Sequence, residues 1–92
     1  MMDRVTKFYG KRDELLNKIQ RYRRHEDRAL DNSPRHGVAD YAACIVAINT
    51  AVQVLNESIE NKQLARTQAA LELLELGTSE LKLWAAHAGA DV

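Results

Sequence analysis

The chain has 92 residues, is 46% hydrophobic and 28% charged, and balances thirteen Lys and Arg against thirteen Asp and Glu for no formal net charge. That length suits one domain burying roughly 60–65% of its unfolded surface, which excludes a two-domain enzyme, a Rossmann fold and a barrel. The hydrophobic fraction is too high for an intrinsically disordered chain.

The opening Met1-Met2-Asp3-Arg4-Val5-Thr6-Lys7 is charged from the third residue and has no apolar run behind it, unlike a secretory signal. The nearest approach to a membrane span is Tyr41 to Val54, which is short and carries Asn49, Thr50 and Gln53. Cys44 is the one cysteine, so an intrachain disulfide and a cysteine-based zinc site are both excluded. The expected compartment is the cytoplasm.

Period-two alternation never lasts more than a few residues, and no strand is expected. Three helices are expected near residues 3–30, 34–61 and 63–88, with residues 89–92 as a tail. The sharpest break is Asp31-Asn32-Ser33-Pro34, where Ser33 can cap a helix and Pro34 fits its first position. Asn61-Lys62-Gln63 is a softer break, because the apolar register stops there. Three segments of about 38–42 Å joined by short links predict an all-α, antiparallel three-helix bundle. Long helical hairpins completed by homodimerisation are the structural alternative, since the same apolar seam serves packing within or between chains.

The first helix carries a seam of Val5, Phe8, Arg12, Leu15, Ile19, Tyr22, Glu26 and Ala29, widened by Tyr9, Leu16 and Leu30. Arg12 and Glu26 fall on seam positions, where they either snorkel outward or fix register. On its flank Arg4, Lys7, Lys11, Lys18, Arg21, His25 and Arg28 form one stripe, broken only by Glu14 and thickened by Arg23 and Arg24. Residues 1–36 hold ten basic and six acidic side chains, or +4; residues 37–92 hold three and seven, or −4. Three readings of the stripe compete. It is a solvated flank partly facing Glu57, Glu60, Glu72 and Glu75 of the same bundle, a lure for an acidic protein, or a phosphate-neutralising surface with Tyr22 available to stack.

The second helix has the cleanest pattern, Val38, Tyr41, Ile45, Ile48, Val52, Leu55 and Ile59 at alternating spacings of three and four. On another face Ala39, Ala43, Ala47 and Ala51 form a ridge of small side chains, which would let a neighbouring helix approach closely. The third helix carries two apolar stripes. Leu64, Leu71, Leu74, Leu81 and Ala85 make one, and Leu73, Leu76, Leu83 and Trp84 lie roughly 120–220° around the helix from Leu71. Either Gly77 bends the helix so that both stripes reach one core, or the second stripe is exposed and another chain covers it.

Catalytic groupings are not evident. His25, His36 and His87 lack a metal-binding spacing, and Gly10, Gly37, Gly77 and Gly89 are too isolated to make a phosphate loop. Cys44 lies among Ala42, Ala43, Ile45 and Val46, the setting of a buried, inert thiol. Asp40 reads as a solvent-facing helix residue. The sequence therefore points away from an enzyme and implies no cofactor or metal. It points to a protein-binding module, an adaptor, inhibitor or chaperone, docking through Leu73, Leu76, Leu83 and Trp84 and oriented by Arg4, Lys7, Lys11, Lys18, Arg21, Arg24 and Arg28. A homodimer is part of that expectation, through the Val38–Ile59 seam or the Leu76–Trp84 stripe. A nucleic-acid-associated regulator using the basic flank is the alternative, and an enzyme site assembled across an oligomer a weaker third.

Overall fold

A computed structural model describes residues 4–31 and 35–89, with Arg35 and His36 as backbone only. It is all-α: α1 spans Arg4–Arg23, α2 Glu26–Asp31, α3 Arg35–Glu60 and α4 Leu64–His87. The expected cap at Ser33 with Pro34 lies outside the described residues.

The first expected helix is in fact two. After α1 the chain tightens, with the Arg24 amide donating to the Arg21 carbonyl and the His25 amide to the Tyr22 carbonyl. Helical bonding resumes when the Ala29 amide reaches the His25 carbonyl. Charge favours this division. Arg21 and Arg23 lie in the last turn of α1 and Glu26 and Asp27 in the first turn of α2, so both helix dipoles are complemented. A continuous helix would instead have its basic and acidic runs at mid-helix.

Helices α3 and α4 form an antiparallel hairpin, as the contacts of Tyr41 with Trp84, Cys44 with Gly77 and Ser58 with Thr67 require. Between them the Gln63 amide donates to the Ser58 carbonyl and the Lys62 amide to the Ile59 carbonyl, a Schellman turn. Lys62 holds the left-handed position of that turn, with φ 57°.

The buried face of α3 is turned from the expected one. Tyr41, Ile48, Leu55 and Ile59 are buried as expected, but Ile45 and Val52 are half-buried and Val38 is 41% exposed. In their place Gly37, Cys44, Ala51 and Ser58, one per heptad, face inward. The expected alanine ridge is corrected too, because Ala39, Ala43 and Ala47 are exposed and Ala51 alone is buried. The reason lies on α4, whose inner face is also built of small residues: Thr67, Ala70, Gly77, Thr78 and Ala85 between Leu74 and Leu81. Two columns of small side chains let the backbones close up, and the bulkier Ile45 and Val52 turn toward the flank.

Gly77 does not bend α4, which is continuous through it. A Cβ there would stand 2.7 Å from Ile48 Cγ1, so glycine makes room for Ile48 where the helices approach. The seam's hydroxyls are satisfied in place. Thr67 donates to Ser58 Oγ at 3.0 Å, Ser58 to the Leu55 carbonyl at 3.1 Å, and Thr78 to the Leu74 carbonyl at 2.7 Å.

Helix α1 lies along α4 and touches α3 only briefly. Leu15, Ile19 and Tyr22 point into the core with Val5, Phe8, Tyr9 and Leu16 around them, as the seam predicts. Arg12 and Glu26, the polar intruders in that seam, both cross to α3. Arg12 Nη1 donates to Asn56 Oδ1 at 2.8 Å, and the Tyr41 hydroxyl donates to Glu26 Oε1 at 2.8 Å. Glu26 also receives Arg23 at 3.1 Å. Burial and then the adjacent Glu26 carboxylate push the Tyr41 hydroxyl well above its usual range.

Candidate functional site

The α3–α4 hairpin has α1 and α2 on one side. The half-buried Ile45 and Val52 mark that side on α3, and the Lys11 to Glu75 ion pair at 3.6 Å marks it on α4. By the 100° step of a helix, the exposed Ala43, Ala47 and Thr50 of α3 fall on the opposite side. Leu73, Leu76 and Leu83 of α4 also turn away from α1, and they are 60%, 67% and 70% exposed. The second stripe of the third helix is therefore outside the core, and Gly77 does not fold it in. The body is correspondingly flat, with principal extents of 45, 24 and 14 Å.

Trp84 does not share that exposure. It is half-buried, edge-on to the Tyr41 ring at 5.4 Å between centroids, with His87 6.4 Å away on the outside. The stripe thus divides at residue 84: three leucines face out, and the tryptophan packs against the core at Tyr41.

No charged side chain occurs from Tyr41 to Asn56. Over Gly37–Glu60, α3 is long and apolar enough to cross a membrane by length and composition, and only 28% of that apolar window is buried. The acids bordering the outward leucines are Asp40, Glu72 and Glu80, all exposed.

The basic flank is partly used within the bundle. Lys11 reaches Glu75 and Glu14, and Lys18 reaches Glu14 at 3.5 Å. Arg21 lies over the Tyr22 ring at 5.7 Å. Arg4, Lys7, Arg24 and Arg28 have no acidic partner among the described residues. Tyr22 is buried, 8% exposed, so the expected stacking ring is not on offer to a base.

A feature the sequence did not reveal lies between α1 and α3, a cleft of about 570 Å³. Leu16, Ile19, Ile48 and Val52 form its apolar walls, and Arg23 and Glu26 border it. Its sign in the sequence is the breadth of the α1 stripe, since Leu16 lies too far round to meet α4.

The groups able to do chemistry stay apart. Cys44 is buried and its thiol donates to the Gly77 carbonyl at 3.7 Å, while burial and then the Glu80 charge push its pKa up to about 11. Such a thiol is protonated at neutral pH and a poor nucleophile. Asp40 faces solvent, His25 is half-buried, and the His36 side chain is outside the described residues. Among the described residues no three His, Cys, Asp or Glu side chains converge as a metal site would need.

The chain matches no family model, no curated protein and no solved structure. Its own surfaces must carry the functional reading.

Proposed function

We propose that the protein is a non-catalytic binding module of the cytoplasm, an adaptor, inhibitor or chaperone that docks a partner protein on the uncovered side of the α3–α4 hairpin. The observation behind this reading is the exposure of Leu73, Leu76 and Leu83 at 60–70% beside a helix face without charge. Clustered exposed apolar side chains mark interaction sites on soluble proteins. The leucines supply area to bury, and Ala43 and Ala47 let a helix lie close. Arg4, Lys7, Arg24 and Arg28, without an acidic partner among the described residues, steer an acidic region of the partner during encounter. The nucleic-acid alternative keeps the basic flank but lacks the stacking ring, because Tyr22 is turned inward.

The test pairs Leu76→Glu and Leu83→Glu, with solution mass by light scattering in low and high salt and cross-linking from a photoreactive side chain at Leu73. Both substitutions are on the surface, so the helical content and melting temperature should hold while the cross-linked species disappears. If that species is a dimer of the chain that the double variant dissolves, the partner is a second copy. A strict monomer whose solubility and cross-linking ignore the double variant would refute the docking face.

A further inference from the structure

At the α3–α4 turn, remote from Leu76 and Leu83, an apolar pit has one cation at its edge and two more in the hollow next to it. Val5 and Phe8 of α1, Ile59 of α3 and Leu64 of α4 wall a cavity of about 240 Å³, with Lys62 at its edge. A second hollow of about 390 Å³ shares Phe8 and Leu64 and adds Arg4 and Lys7. Among the described residues no carboxylate lines either space. Among the described residues Arg4, Lys7 and Lys62 make no ion pair.

Two further observations narrow the ligand. The hydroxyls in the pit, Ser58 and Thr67, are already committed, Thr67 to Ser58 and Ser58 to the Leu55 carbonyl, so the interior offers no free donor to a polar guest. At the mouth, Lys62 sits at φ 57°, the left-handed turn position where glycine or asparagine is the usual occupant. The turn does not require a long cationic side chain there, and a non-glycine residue held in this region is a pointer to function.

The geometry points to a binding site for a free aliphatic carboxylate, with its chain in the pit among Val5, Phe8, Ile59 and Leu64 and its anionic head between Lys62, Arg4 and Lys7. A hydrophilic anion would leave the pit empty, and an alkylammonium ion would meet three like charges. The site is separate from the hairpin face and stands or falls without it.

Titration of the ¹⁵N-labelled full chain with sodium octanoate tests this by amide shift mapping. Saturable shifts confined to residues 5–8 and 58–67 are expected. Lys62→Gly, which relieves the left-handed lysine and so keeps the turn, should weaken binding by about fivefold or more. The Arg4→Gln, Lys7→Gln pair should weaken it by a comparable factor. Octan-1-ol, with the same chain and no charge, should bind at least about fivefold more weakly. The assignment is overturned by shifts that do not saturate by about 10 mM, or by octanol and octylammonium matching octanoate. It is equally overturned if the shifts centre on residues 73–83, or if phosphatidylglycerol vesicles bind the chain while octanoate does not.

Discussion

The α3–α4 seam and the α1–α3 junction both draw on apolar faces of long helices, yet one is closed and the other open. Along the seam Cys44, Ala51 and Ser58 face Thr67, Ala70 and Gly77, and the helices come close enough for the Cys44 thiol to donate to the Gly77 carbonyl and the Thr67 hydroxyl to Ser58 across it. At the junction Leu16 and Ile19 confront Ile48 and Val52 across a cleft of about 570 Å³. Side chains there are larger and more apolar, but polar tethers rather than interdigitated packing hold α3, Arg12 of α1 to Asn56 and, just beyond the end of α1, Glu26 of α2 to Tyr41. Matched small residues on both helices bring them together; apolar bulk without matching holes does not.

That contrast can be broken most forcefully at Gly77. Gly77→Val places branched atoms where even a Cβ would lie 2.7 Å from Ile48, and overpacking of a tight contact costs about 1–3 kcal/mol. Urea unfolding should show this loss, and adding Ile48→Ala should make the two changes strongly non-additive. If Gly77→Ala alone raised stability by the ~1 kcal/mol of its helix propensity, the seam would not be tight.

A smaller effect is expected at the junction. Arg12→Ala removes the 2.8 Å bond to Asn56, the contact with Asp13 and the stacking over Tyr9 at 4.7 Å. A single half-buried bond of this sort contributes about 0.5–1.5 kcal/mol. The same urea experiment should therefore lose less than for Gly77→Val, and a loss as large would mean that α1 is held as tightly as α4.

The all-α architecture, the antiparallel order and the α1 core residues could be read from the sequence because helical spacing of Leu15, Ile19, Tyr22, Leu71, Leu74 and Leu81 leaves little choice. The rotation of α3 could not. Periodicity favours the β-branched column Val38, Ile45, Val52 and Ile59, whereas packing favours Gly37, Cys44, Ala51 and Ser58, which match the small residues of α4. A single helix's pattern does not contain its partner's shape. The break at Arg24 and His25 did have a local signal, basic residues followed directly by Glu26 and Asp27, which a purely apolar reading passes over. The outward leucines of α4 are legible as surplus, and Trp84 falls with them by rotation, because its contact with Tyr41 is not written in the spacing of α4.

Native-state hydrogen exchange measures the central contrast most directly. The account predicts that amides from Cys44 to Leu55 and from Ala70 to Leu81 exchange only through global unfolding. Those of α1 should exchange through a separate opening of lower free energy, in which the Arg12 tether to Asn56 releases. Equal protection in α1, α3 and α4 would contradict it, and so would an α4 that exchanges ahead of α1.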